Sequence, residues 1–220
     1  MKKFRLACLI IMLLPFTAFA QLDGVSYDWK EKRNKKGIMI ATSSVEGSPF
    51  KAVRGEMIVK GSVSALVALV EDLAACPKWA AMCKEGRVEK RISGSESYAY
   101  IYNDIPFPVK DRDVYTHVVW TRAADTKRVS MTSTATLGGT AKTKKAVRIE
   151  NAVSQWHFTP QGDGTTLVEN FGHIDPNGPT PAWISNLMLV DSPYRSMKKM
   201  RELIESGEYA DAEVAFLEDL

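Results

Sequence analysis

Apolar and polar residues alternate along most of this chain and switch to a helical spacing in only two places. Tyr27 to Arg33 reads as a short strand, followed by a turn at Asn34-Lys35-Lys36-Gly37 and a second strand from Ile38 to Ser43. Another turn, Glu46-Gly47-Ser48-Pro49, leads into a strand from Phe50 to Lys60. Ser62 can cap a helix, and Leu66, Leu69, Val70 and Leu73 recur on one helical face until Pro77 stops the run. Alternation then returns. Arg87 to Ser93 and Glu96 to Asn103 form a hairpin around Gly94, and Ile105-Pro106-Phe107-Pro108 is an extended crossing. Arg112 to Arg122, Lys127 to Leu137, Val147 to Phe158 and Thr165 to Ile174 read as strands. Thr180-Pro181 joins a capping residue to a first-turn proline, predicting a helix to Ser206 with a bend at Pro193. Residues 207–220 are acidic and read as a loose tail or a short extra helix. Strands grouped together and helices set apart from them predict an α+β domain rather than alternating βαβ units.

The N-terminus breaks this pattern. Lys2, Lys3 and Arg5 precede an apolar run from Leu6 to Phe16, and Ala18-Phe19-Ala20 supplies small residues two apart. This is the three-part layout of a secretory signal peptide. The apolar run falls short of the ~20 residues a bilayer span needs. The predicted organisation is a signal peptide at 1–20, one domain at 21–206 and an acidic C-terminal tail at 207–220, exported from a bacterial cytoplasm to the periplasm or beyond.

Composition matters mainly through where the charge sits. The 220 residues carry 29 Lys+Arg and 26 Asp+Glu, a formal net charge of +3. Lys2, Lys3 and Arg5 leave with the leader, so 26 cationic residues face 26 acidic ones in the remainder. A balanced, exported chain is a poor nucleic-acid binder. Basic clusters remain at Lys30, Lys32, Arg33, Lys35 and Lys36 and at Lys142, Lys144, Lys145 and Arg148. They read as solvated turns or as a transient membrane-surface contact. Cys76 and Cys83 are the thiols left after cleavage. A turn at Pro77 would let them bridge in an oxidising compartment; otherwise they are two small buried hydrophobes.

Catalytic patterns are sparse. His117, His157 and His173 are far apart, and none has a Cys or carboxylate at metal-ligand spacing. Gly162-Asp163-Gly164 is a hairpin turn between strands, not a dinucleotide loop. In Asp111-Arg112-Asp113 alternation sends both carboxylates to the face opposite Arg112, and the triplet reads as a structural ion pair. No catalytic residue, metal site or cofactor is assigned, and the chain is expected to act as a monomer. In the C-terminal helix Trp183, Leu187, Val190, Tyr194, Met197 and Ile204 form one stripe with Met188 and Met200 at its edges. That stripe is either ordinary core or the wall of an adaptable apolar pocket.

Two stretches resemble the StAR-related lipid-transfer (START) family. One is Ile105-Pro106-Phe107-Pro108-Val109-Lys110-Asp111-Arg112-Asp113-Val114. The other is Asp175-Pro176-Asn177-Gly178-Pro179-Thr180-Pro181-Ala182-Trp183-Ile184-Ser185-Asn186. Trp79 and Trp156 also stand where such domains carry tryptophans, and the likeness spans about residues 25 to 206. The resemblance implies a helix-grip fold: a curved antiparallel sheet around a long C-terminal helix, enclosing an apolar tunnel. It implies that Val114, Thr116 and Val118 line the tunnel, that Tyr100 and Met131 face it from neighbouring strands, and that Trp183, Leu187, Met188, Val190 and Tyr194 form the lid side. Sterol-carrying relatives keep a buried Arg deeper on the strand after Arg-Asp, where this chain has His117-Val118-Val119; that departure points away from a sterol.

The function so implied is reversible binding and carriage of a lipid or other hydrophobic molecule in the periplasm, with hinges at Gly178 to Pro181 and at Pro193. An enzyme of the aromatase/cyclase kind is the alternative and needs convergent ionisable groups in the same space, with His117, His173 and Asp113 as candidates. A sealed domain with a filled core is the third reading. N-terminal sequencing of the exported protein is expected to start at Gln21; a start at Met1 would refute the cleaved leader.

Overall fold

The computed structural model describes residues 27–139, 142, 144–178, 180, 184 and 187–219. The predicted leader, its cleavage point and the start of the C-terminal helix at Pro181 lie outside these residues.

Ten strands form one sheet: β1 (Lys30–Lys35), β2 (Ile38–Ser43), β3 (Ala52–Lys60), β4 (Cys83–Arg91), β5 (Glu96–Asn103), β6 (Asp111–Arg122), β7 (Val129–Ala135), β8 (Ala146–Ile149), β9 (Asn151–Pro160) and β10 (Thr165–Asp175). Their order is β1-β2-β3-β10-β9-β7-β6-β5-β4, with β8 beside β6. Neighbours run antiparallel except β8, which pairs in parallel with the first residues of β6. Alternation alone predicts one strand over 147–158. The structure breaks it at Glu150, because the chain leaves β6 there and crosses to pair with β7 and β10. The two edges, KEKRNK in β1 and CKEGRVEKR in β4, are rich in exposed charge, which discourages strand addition by another chain.

The helices cover the inner face. Ser62 caps α1 (Val63–Glu71), its hydroxyl accepting the Ala65 amide at 3.1 Å, and Leu66, Val67 and Leu69 are fully buried. Pro77 does more than end a helix: it stands in the first turn of a new one, α2 (Cys76–Trp79), where its missing N–H is harmless. The C-terminal α3 (Ser192–Glu205) follows a π-helical turn at Leu187–Asp191. The expected bend at Pro193 therefore takes the form of a wider turn just before the proline, which cannot supply the usual backbone donor. Met197, Met200 and Ile204 of α3 are buried on the sheet. Two glycines allow that approach: a Cβ at Gly55 would collide with the Met197 sulfur, and one at Gly61 with Ile204. Arg201 ties the helix to the β1–β2 turn by donating to the carbonyls of Lys36 and Gly37 at 2.7 and 3.0 Å.

The C-terminal residues are not loose. They end in a short 3-10 turn, Ala215–Leu217, whose Phe216 ring lies 5.9 Å from that of Trp120. Arg122 donates to the Leu217 carbonyl at 3.1 Å, and the Tyr209 hydroxyl donates to Asp72 at 3.0 Å. The tail is thus a strap over the end of the sheet where Trp120 and Phe158 fill the core.

On the outer face, one register row crosses four strands as Glu56, Glu169, His157 and Ser130. His157 is buried, with Nδ1 2.8 Å from the Ser130 hydroxyl. Burial, aided by the Arg128 guanidinium, pushes its pKa down to about 4. An unfolded His titrates near 6.5, so between pH 4 and 6.5 the unfolded chain binds more protons than the folded one, and stability rises with pH across that window. Burial raises the Glu169 pKa and acts in the opposite sense. His157→Gln isolates the histidine: denaturant titrations at pH 4.5 and 7 are expected to show the wild type losing up to about 3 kcal/mol more than the variant on acidification. Equal losses would contradict the assignment.

Candidate functional site

The inner face of the sheet changes character along each strand. From the strap end inward, β6 presents Trp120 and Val118, then Thr116, Val114 and Arg112. β7 presents Val129 and Met131, then Ser133 and Ala135. β9 presents Phe158 and Trp156, then Ser154 and Ala152. β10 presents Val168, then Asn170, Gly172 and Ile174. Large side chains meet α1 and α3 and pack solidly at one end. Small ones at the other end cannot reach across, and a cavity of about 370 Å³ remains. That lies just above the lower end, ~300 Å³, for small-molecule sites. Its walls are mostly apolar: Trp79 and Trp156, whose rings meet edge to face at 5.8 Å, with Met131, Ile101, Ile105, Ile149, Met188 and Leu189.

The segment around α2 closes one side. Cys76 and Cys83 are joined by a disulfide with their Cα atoms 5.8 Å apart, and both line the cavity. Ala81 between them is bound to α3, its amide donating to the Ser196 hydroxyl at 2.9 Å. The bridge holds Trp79 and Ala80–Met82 in a short loop under the helix.

Arg112 opens the wall at the other side. It is 3% exposed, and its guanidinium donates to the carbonyls of Pro176, Lys110 and Asn177 at 2.7, 2.5 and 3.2 Å. It thereby fixes the segment after β10 against the start of β6. Burial holds its pKa below the usual arginine value. Asp113 does form the ion pair expected of the Asp-Arg-Asp triplet, but its partner is Arg148, facing it on β8, at 2.8 and 2.9 Å. This also removes Arg148 from the solvated basic cluster, while Lys142 pairs with Glu150 and Arg33 with Asp191.

Among the residues singled out from the sequence, Val114, Thr116, Met131 and Met188 line the cavity together. The Thr116 hydroxyl is engaged by Ser133. Val118 shares their face but lies deeper, packed into the filled core. Tyr100 is on the opposite face: register places Ile101 inward, while the Tyr100 hydroxyl donates to Asp113 at 3.1 Å and Arg87 stacks over the ring at 4.2 Å. Burial, then the Asp113 bond, push its pKa up to about 12. Val190 and Tyr194 pack on the core, with Arg33 over the Tyr194 ring at 5.0 Å. The π-helical turn adds to the helical repeat, so a stripe drawn at constant spacing puts these two where Met188 and Leu189 belong. Trp183 and the Leu187 side chain lie outside the described residues. His117 bonds Glu96 at 2.7 Å and His173 meets Ser48 at 3.1 Å, both away from the cavity, as is Asp113. The small inward residues Ser133, Ala135, Ala152, Ser154 and Gly172 were missed. Strand parity would have found them, because they follow large residues at the same alternation.

A family model described as the START domain matches residues 18–206. An uncharacterised protein of Pseudomonas aeruginosa is 32% identical over 183 residues, covering 83% of this chain and 90% of the relative. The crystal structure of a STAR-related lipid transfer protein fragment from Xanthomonas axonopodis superposes with a TM-score of 0.73 at 28% identity, covering 80% of this chain and 98% of that one. Human StAR-related lipid transfer protein 5 shares the fold at a TM-score of 0.73 and 17% identity, covering 82% of this chain and 88% of its own.

Replacing both Cys76 and Cys83 by Ala is expected to cost about 2 kcal/mol through the lost loop closure. For a domain of this size that lowers Tm by roughly 4–8 °C. An unchanged Tm in calorimetry would mean that the bridge does not constrain the loop.

Proposed function

Because the chain belongs to the START domain family, we propose that it binds and carries a lipid or other hydrophobic small molecule in this cavity, in the bacterial periplasm. The observation that carries the reading is the hollow half of the sheet. Small inward residues on β7, β9 and β10 leave about 370 Å³ lined by tryptophan, methionine and isoleucine. Each methylene moved there from water contributes ~0.8 kcal/mol, so a modest apolar chain supplies micromolar binding without bond chemistry. Among the described lining residues the ionisable side chains are Lys51 and Arg112, which make no acid–base pair with each other's like charge. Carriage without catalysis is therefore the reading adopted. The periplasmic setting draws on the leader-like residues 1–20 and on the disulfide, a bond that persists in oxidising compartments.

Loading and release need the wall to open. Gly178 at φ 89° and the π-helical turn before Pro193 flank the cavity and serve as hinges. A transient contact with a membrane surface fits Phe107, 91% exposed, and Leu137, 77% exposed. Their loops leave strands whose ends line the cavity.

Native mass spectrometry of the purified chain is expected to show an apolar ligand near one per protein. Ala152→Phe, which fills part of the space, should cut occupancy about tenfold, the worth of roughly two displaced methylenes. An empty wild type that takes up no lipid from extracts would end the proposal.

A further inference from the structure

Two arginines stand on either side of the start of β6, and the protein treats them differently. Arg148, on the outer face, is buried against the Asp113 carboxylate with two hydrogen bonds. Arg112, on the inner face, is just as buried, yet its acceptors are three neutral carbonyls. Each of its nitrogens donates once. A guanidinium has five N–H groups, so one on each terminal nitrogen has no acceptor among the described residues. No carboxylate among the described residues lies within ion-pair range of Arg112, and burial alone shifts its pKa, with no acidic group pulling it back. Asp111 and Asp113 adjoin it in sequence, but they are engaged by Tyr102 and the Ile105 amide and by Arg148 and Tyr100.

A desolvated cation without a counter-charge is costly, and carbonyl dipoles offset only part of that cost. Here the cation is in the wall of a mostly apolar chamber whose other polar side chains are neutral hydroxyls and amides, and the second ionisable lining residue, Lys51, is also cationic. The chamber therefore carries positive charge and, among the described lining residues, no negative charge. An anionic group on an occupant would supply the counter-charge that the described lining lacks. Beyond Arg112 the wall continues along Val114 and Thr116, about 13 Å of strand, to Met131 and Trp156. That gives a polar end and an apolar groove in one line. A volume near the low end for ligand sites suits one chain rather than two.

We propose that the natural ligand is a single-chain amphiphile with an acidic head, a carboxylate or a phosphate monoester, seated on Arg112 with its tail laid along Val114 and Thr116 toward Met131 and Trp156. The inference rests on the carrier reading above and narrows it.

The test uses three probes with one tail: dodecanoate, dodecyl phosphate and dodecan-1-ol, titrated calorimetrically into the delipidated full-length mature chain. At least one anion is expected to bind ten times or more tightly than the alcohol, the usual worth of a charge-assisted hydrogen bond; the tighter of the two identifies the head. In Arg112→Gln the anion preference should fall below about threefold while the alcohol affinity stays within threefold of wild type. Arg112→Lys should keep part of the preference. Alcohol binding as well as both anions in the wild type overturns the acidic head and leaves the carrier reading standing. An anion preference that survives Arg112→Gln overturns the assignment to Arg112. Failure of all three probes to bind overturns the single-chain ligand, and the carrier reading is then decided separately by native mass spectrometry against lipid extracts. Should Arg112→Gln not fold, because it also holds the segment after β10, the wild-type comparison and Arg112→Lys still decide.

Discussion

The architecture depends on a gradient of side-chain volume along the inner face of one curved sheet. Where Trp120, Phe158, Val168 and Val129 project inward, they meet Leu66 and Leu69 of α1 and Met200 and Ile204 of α3, and the interior closes. A few residues along the same strands, Ser133, Ala135, Ser154, Ala152 and Gly172 leave the sheet and the helix layer too far apart to touch. Close-packed interiors do not tolerate such a gap without reason. The helix cannot settle into it, because α3 is already fixed on β3 through the glycines at 55 and 61 and on the β1–β2 turn through Arg201. The solid half holds the hollow half open.

Strand existence and type were largely legible, because one face of most strands is buried and the other is polar. Ser62 declared its helix by chemistry alone. The START resemblance supplied the arrangement, and the matched domain and the shared fold agree with it. The misplaced residues have identifiable causes. In β5 both faces are apolar, with Tyr98, Tyr100 and Tyr102 on one and Ala99 and Ile101 on the other, so alternation carried no polarity to set the phase. In the C-terminal helix a π-helical turn moved the stripe that constant spacing had drawn. The break at Glu150 is invisible locally, because it reflects a change of partner strand. The Asp113–Arg148 pair, 35 residues apart, is a fact of register that the triplet around Arg112 could not announce.

Charge is partitioned by the sheet. The outer face holds networks that satisfy themselves: Arg128 and Arg54 on Glu169, Arg148 on Asp113, and the Tyr100 and Tyr102 hydroxyls on carboxylates. These groups cross-link strands from β3 to β5 and bind one another rather than solutes. The inner face is almost free of charge, which makes the single guanidinium at its hollow end prominent. Strand alternation performs this sorting with no other device: a shift of one residue in β6 would exchange Arg112 for Asp113 and invert the polarity of the interior.

The strap formed by residues 207–219 has one further consequence. With Phe216 against Trp120 and Arg122 holding Leu217, the strap lays an aromatic layer on the packed end of the interior. None of its described residues lines the cavity, which lies toward the other end of the same strands. The strap therefore adds packing to the solid half without touching the hollow one, so that a change in the tail alters the stability of the domain and leaves the walls of the chamber as they are.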